Sequence, residues 1–463
     1  MRLIPVLAVV LAATLASAAP GPVPRNAQSC AALVKAYPGA PCSFDLTKFR
    51  FDDRVLDAVE SGASARLFTG QRYTVRNAQD LAQLRGKLKP GDEVVLANGE
   101  WPDIAFSLHA DGTEAHPIYI HAQSDAGAVF TGTGSAAFSG SHLVVRGLAF
   151  RRGAVVRDQF VVLRLGDGDA NPCDRCVADR ITIDAYNSAP EGYDTIKVLY
   201  LVLVGRDITV ANSFLGNKKN TGTMISASQL PACPQDAGGC YQRLLFVKND
   251  ISGFTAAKPD PNGDHKLIQL GWSAVSTRSA YSAILDNVFE HATGENETIS
   301  LKASDVVVRG NLFRANRGVL NLRSTNRVLV ENNIFDGAGI DGMGGVRVEG
   351  AGHWIVHNLF KNLDHPSDYY YWPIAIHTAS DEDLKDKAED YARVKDLVIA
   401  GNRFENDLSP PIALGIYPDA AHGRVLLPKN VFLLGNSFSR PGAIFFVGGP
   451  AQYGAIVEHD APN

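Results

Sequence analysis

Asp305-Val306-Val307-Val308-Arg309-Gly310-Asn311-Leu312-Phe313 is followed by Arg327-Val328-Leu329-Val330-Glu331-Asn332-Asn333-Ile334-Phe335, the same pattern 22 residues further on. In both, a short β-branched run leads to Asn-x-Phe and then to a turn. Outward from this pair the motif returns at Asn212-Ser213-Phe214, Asn287-Val288-Phe289, Asn358-Leu359-Phe360, Asn402-Arg403-Phe404 and Asn436-Ser437-Phe438, with Asn249-Asp250-Ile251 as a degenerate copy. From Asn212 onward the consecutive spacings are 37, 38, 24, 22, 25, 44 and 34 residues. A base period of 22 to 25 residues, lengthened by insertions, predicts an all-β chain: a right-handed parallel β-helix whose coils each give short strands to stacked parallel sheets. The Phe of each copy is expected to stack on the next inside the core, and the Asn to form a ladder along the turns. Leucine-rich repeats share the period but need Leu at fixed offsets and a helix per repeat, whereas these runs are short and β-branched.

Ahead of the coils, Asn77 is expected to N-cap a helix through Leu81, Leu84 and Leu88, with Asp80 in its first turn and Pro90-Gly91-Asp92 as its stop. Such a helix covers the open end of a solenoid, which otherwise exposes unpaired strand edges. The charged stretch from Asp381 to Asp396 reads as a loop insertion between coils. At the N-terminus, Met1-Arg2, the apolar run Leu3 to Leu15 and Ala16-Ser17-Ala18 read as an export signal with its cleavage site. The expected organisation is therefore a signal peptide over 1–18, an extension over 19–71 without an assigned role, and the β-helix domain over 72–463.

Forty-four basic and 49 acidic side chains give a net charge of -5, with no basic block of the kind that binds nucleic acid. Beyond the N-terminus no apolar run reaches the ~18 residues of a membrane span. The expected location is secreted or periplasmic. Six cysteines form three close pairs, Cys30/Cys42, Cys173/Cys176 and Cys233/Cys240, which an oxidising compartment would close as local disulfides. Cys173 and Cys176 with Cys233 and Cys240 could instead ligate zinc, although adjacent prolines put both pairs in loops.

The densest polar constellation is Gly294-Glu295-Asn296-Glu297-Thr298-Ile299-Ser300-Leu301-Lys302, followed one coil later by Asn321-Leu322-Arg323. On an extended segment Glu295 and Glu297 face the same way and repel unless a cation neutralises them; hard oxygen ligands of this type suit calcium. Solvated surface glutamates are the bland alternative. Lys302 and Arg323 are 21 residues apart, which stacks them on adjacent coils. Two cations so close are costly without an anion beside them. In an unbroken strand Lys302 would face away from Glu297, so a corner must intervene.

Here the chain resembles the polysaccharide lyases that include chondroitinase B and many alginate lyases, over about residues 72 to 440. The likeness starts at Pro90-Gly91-Asp92-Glu93-Val94-Val95-Leu96-Ala97-Asn98-Gly99-Glu100-Trp101 and continues through Leu143-Val144-Val145-Arg146-Gly147-Leu148-Ala149-Phe150. Its most specific part is the series Glu295, Glu297, Lys302, Arg323. The resemblance implies a calcium ion held by Asn262, Glu295 and Glu297, with Asp264 as competitor for the first position, and a catalytic pair Lys302 and Arg323. Ser324 stands where the family often has His.

The implied partner is an acidic polysaccharide, a 1,4-linked polyuronate cleaved by β-elimination, alginate before dermatan sulfate. Arg347, His353 and Tyr370 are expected to contact the polymer, as Tyr369 and Trp372 also could; for each, packing or capping is the plain alternative. A pectin-type hydrolase would need clustered aspartates, which the central coils lack. A non-catalytic glycan-binding β-helix would make Lys302 and Arg323 dispensable.

Overall fold

The computed structural model describes residues 44–49, 57, 68–168, 170–229, 242–256, 264–323, 325–363, 370–385, 391–407, 410–439, 444–447 and 456–459. The chain divides into two units, residues 1–48 and 49–463. The export signal, Cys30, Cys42, Cys233 and Cys240 lie outside the described residues.

One coil shows how the repeat builds the second unit. The run Ser304–Arg309 forms a strand, Gly310 turns with φ +70°, and Asn311 leads into the strand Leu312–Arg314. A second turn leads to the strand Gly318–Leu322, after which the next coil begins at Val328–Glu331. Each strand pairs in parallel with its counterpart one coil on: Val306 with Val328, Phe313 with Phe335, Asn321 with Arg347. Repeated along the chain, this gives three parallel sheets of 14, 12 and 13 strands among the described residues. We call them the first, second and third sheets in the order a coil visits them.

The Asn-x-Phe motif does two separate jobs. Its Phe rings point inward and stack from Phe289 through Phe313, Phe335, Phe360 and Phe404 to Phe438, with centroids 4.7 to 5.1 Å apart. Its Asn side chains form a buried ladder: each Nδ2 donates to the next Oδ1 at 2.9 to 3.0 Å, from Asn249 through Asn287, Asn311, Asn333, Asn358 and Asn402 to Asn436. Each Oδ1 also accepts the backbone N–H of the preceding Asn, so corner groups buried away from water are satisfied.

The first copy is displaced by one residue. Ser213, not Asn212, occupies the ladder position, donating its N–H to Asn249 Oδ1 at 3.0 Å. Asn212 takes the left-handed corner at φ 50°, and Leu215 rather than Phe214 registers with core Ile251. The Asn249 copy, degenerate by sequence, is regular in space.

Removing one rung is expected to be costly. Asn333→Ala deletes the donor to Val308 O and Asn358 Oδ1 and the acceptor of Asn311 N–H and Asn311 Nδ2. Each buried polar group left unmet costs roughly 1–3 kcal/mol. The melting temperature should fall clearly below that of Ile334→Ala, whose side chain is 39% exposed and whose loss should be nearly neutral.

The capping helix spans Ala78–Gln83; Asn77 Oδ1 accepts from Asp80 N–H at 2.9 Å, and Leu81 and Leu84 are buried. It stops short of Leu88, and Gly86 follows at φ +69°. The segment before the coils has a packing role: Phe68 stacks on Tyr119 at 4.3 Å, over a patch with Val144 and Val177, and Phe49 meets Tyr281 edge-on at 5.5 Å. Cys173 and Cys176 form a disulfide. Among the described residues between Ile374–His377 and Lys395–Ala400 the chain forms a loop tied by Asp381 and Ala392.

Candidate active site

The third sheet positions the polar constellation. Along its strands Ile268 and Leu270, Ile299 and Leu301, Leu320 and Leu322, and Val346 and Val348 fill the core. Alternation therefore turns Gln269, Ser300, Asn321 and Arg347 outward in one registered row. Lys302 registers with Gly271, and Arg323 and Glu349 directly follow the registered ends Leu322 and Val348 on successive coils. Gly271 leaves the place beside Lys302 without a side chain: it sits at φ +81°, and a Cβ there would lie 2.2 Å from Lys302 O. Trp272, next in the chain, is 50% exposed. The expected corner between Glu297 and Lys302 is corrected: both lie in the single strand Glu297–Lys302, and a register shift between Glu297 and Ile299 breaks the alternation and lets them share the outer face.

Glu297 is the electrostatic centre. Its Oε1 accepts from Asn321 Nδ2 at 2.6 Å and lies 3.4 Å from Arg323 Nη1 and 3.9 Å from Arg347 Nη1. Burial opposes its charge, but Lys266, Arg323 and Arg347 outweigh burial and hold the carboxyl down at about 2. Glu295 goes the other way: burial, reinforced by the neighbouring Glu297 charge, pushes it up to about 8. Its Oε2 accepts the His265 N–H at 2.8 Å, and its Oε1 lies 2.8 Å from Lys266 Nζ. Burial disfavours the Lys266 ammonium, yet Glu297 and Glu295 overcome this and raise it. Lys302 is lowered by burial and then by Arg323, the combination that makes a neutral amine accessible.

One wall is aromatic and cationic. Arg347 lies 4.6 Å from the Tyr370 ring centroid and 6.0 Å from Tyr391; Arg424 lies 4.8 Å from Tyr391 and 4.4 Å from Tyr417. Tyr391 comes from the inserted loop and also faces Arg323 at 6.0 Å.

Glu295, Glu297, Lys302 and Arg323 thus meet on one face. Arg347 joins them, but its side chain is 2% exposed and bridges Glu349 at 2.5 Å, so it holds carboxylates in place. Tyr370 covers it. His353 does not reach this face: it is fully buried, its Nδ1 accepting from Val328 N–H at 3.2 Å and its Nε2 facing Glu349 O at 2.9 Å. Burial lowers it to about 4, so the neutral ring serves as a backbone brace, and the expected sugar contact is corrected. Asn262, Ser324 and Tyr369 lie outside the described residues. Asp264 is bonded to Lys197.

Sequence reasoning missed Lys266, Glu349 and Tyr391, and it quoted Asn321 without giving it a role. Lys266 was within reach, because extending the pairing of Ile268 with Ile299 backwards sets it opposite Glu297. Calcium takes 6–8 oxygens, waters included, and Asn262, the third expected ligand, lies outside the described residues. Two carboxylates converge, one already holds an ammonium at 2.8 Å, and no described group of three His, Cys, Asp or Glu residues could hold a metal.

Several solved structures share the fold. The alginate lyase AlyGC, of polysaccharide lyase family 6, superposes with a TM-score of 0.72 at 22% identity, over 84% of this chain and 51% of that one, so this chain spans about half its length. A mannuronic acid specific family 6 lyase from human gut microbiota gives 0.68 at 21% identity, over 84% and 87% of the two chains. The family 6 lyase Pedsa3628 from Pseudopedobacter saltans gives 0.65 at 20%, over 84% and 97%. No curated protein sequence matches the chain. The family model described as Chondroitinase B matches residues 75–432, which cover the cap and nearly every coil with its outward row of charges, and on that match this chain belongs to the chondroitinase B family.

Proposed function

We propose that the protein is an exported polysaccharide lyase that cleaves a 1,4-linked polyuronate, most readily alginate, by β-elimination. The observation that carries the reading is the pairing of Lys302, lowered toward its neutral form, with Arg323 on the next coil, which remains a cation. The surroundings suit a polyanion: Lys266, Lys302, Arg323 and Arg347 face Glu295, Glu297 and Glu349, and Glu295 is pushed toward its neutral form.

Lys302 as the free amine takes the proton from C5 of a uronate. The electron pair left behind forms the C4–C5 double bond, the C4–O bond breaks, and the leaving oxygen takes a proton from water. Arg323 stabilises the charge on that oxygen. Glu297 and Asn321 aim Arg323, through contacts of 3.4 Å and 2.6 Å that meet at one carboxylate oxygen. Because the uronate is already negative, losing the C5 proton is slow unless a cation stands at its carboxylate.

Alginate is favoured over dermatan sulfate because a sulfate on each repeat calls for several accessible guanidinium forks, whereas Arg347 is buried against Glu349 and Arg424 is 11% exposed between Tyr391 and Tyr417. Solved neighbours with this fold are named alginate lyases. Polymannuronate, polyguluronate and dermatan sulfate incubated separately with the protein should yield ultraviolet-absorbing unsaturated products, fastest from an alginate block. Faster cleavage of dermatan sulfate would overturn the substrate, and new reducing ends without ultraviolet absorbance would overturn the lyase chemistry.

A further inference from the structure

We propose that Lys266, rather than a bound metal, is the cation that neutralises the substrate's uronate carboxylate, an inference that rests on the lyase reading above. The Glu295 and Glu297 carboxylates converge on one point of the outer face, and the Lys266 ammonium occupies it, 2.8 Å from Glu295 Oε1 and 4.0 Å from Glu297 Oε2. The residue is anchored from both sides. Lys266 O accepts the Met224 N–H, and the next residue, Leu267, donates its N–H to Thr298 O, both at 2.9 Å. With its side chain 7% exposed, the ammonium acts through a poorly hydrated environment where a point charge is felt strongly.

Calcium at the same point would have to displace this ammonium or share two carboxylates with it, placing three positive charges where Arg323 and Arg347 already crowd Glu297. Lys266 also acts on the base: its charge is among those that favour the neutral form of Lys302. One residue would then supply both the stabilisation at the carboxylate and part of the activation of the amine.

The test uses the full chain, its Lys266→Met variant, and calcium chloride as the probe. Wild-type protein treated with EDTA and assayed on polymannuronate and polyguluronate should keep its turnover, and added calcium should change it less than about twofold. Calorimetry should detect no saturable calcium binding to wild type, and its melting temperature should not respond to calcium. Lys266→Met should lose roughly 10²–10³-fold in rate, the scale of one lost electrostatic stabiliser. With its carboxylates uncovered, the variant should gain a calcium-dependent rise in melting temperature. Saturable calcium binding by wild type, or activity lost in EDTA and restored by calcium, would overturn the proposal. If wild type cleaves no polyuronate the lyase reading fails, while calorimetry and melting still decide between ammonium and metal. If Lys266→Met does not fold, Lys266→Arg replaces it, with retained chelator-resistant activity expected and calcium-dependent activity counting against the proposal.

Discussion

Lys302→Ala is expected to lower polyuronate cleavage by about 10²–10⁴-fold, the usual loss when a general base is removed, with the circular dichroism spectrum unchanged. The side chain projects from the outer face of the third sheet, where it registers with Gly271 and takes no part in the Phe stack or the Asn ladder. Lys302→Arg should be nearly as inactive, because a guanidinium keeps its proton at any working pH. That variant separates a base from a mere positive charge. Burial and Arg323 both hold the Lys302 amine below the ordinary lysine range. In wild type kcat/KM should therefore rise with pH through that lowered pKa and level off at a lower pH than an ordinary lysine amine would allow. Arg323→Ala should be comparably slow, staying well below wild type at every pH, and its rise in kcat/KM should move to higher pH because Arg323 no longer helps to lower the Lys302 amine. Near wild-type turnover in Lys302→Ala or Lys302→Arg, with the fold intact, would remove Lys302 from the mechanism.

The repeat was readable because one chemical requirement recurs. From Asn287 onward each coil buries a ring and satisfies the same corner groups, so Phe and Asn return at the coil period, as Phe313 with Asn311 and Phe335 with Asn333 show. Where the chain solved the corner differently, the pattern misled: Ser213 does the ladder's work, and the adjacent Asn212 only turns the chain. Lys302 and Arg323 were legible for the same reason, since their spacing equals the Leu301 to Leu322 register.

His353 and Arg347 mark what spacing does not reveal. A position one coil along says which neighbours a residue has, while burial depends on what other segments lay over it. Tyr370 and Tyr391 arrive from outside the coil and cover Arg347. His353 opens the strand Trp354–Val356 of the first sheet, away from the charged face, where backbone groups of Val328 and Glu349 engage both ring nitrogens. Lys266 escaped notice because its sequence neighbours are unremarkable. Only the pairing of Ile268 with Ile299 carries it to Glu297.

Glu297→Gln is expected to be the most destabilising single change at the site, at roughly 3–5 kcal/mol, the cost of breaking a buried charge network by removing one member. Its carboxylate faces Arg323 at 3.4 Å, Arg347 at 3.9 Å and Lys266 at 4.0 Å, and the amide leaves two buried cations and the half-buried Arg323 without their common anion. The pH dependence fixes the origin of the loss. Glu297 is depressed to about 2 in the folded protein from an ordinary value of 4.5, so its contribution is fully present above pH 4.5 and disappears as pH falls toward 2. The gap in melting temperature between wild type and Glu297→Gln should therefore be largest near neutrality and close across that acid window. Glu295→Gln should do the opposite. Its carboxyl is raised to about 8, so ionising it costs the folded state stability between pH 4.5 and 8, and the amide should lose little at low pH and compare better with wild type as pH rises. A gap for Glu297→Gln that stayed constant from pH 7 to pH 3 would show that the carboxylate contributes shape rather than charge.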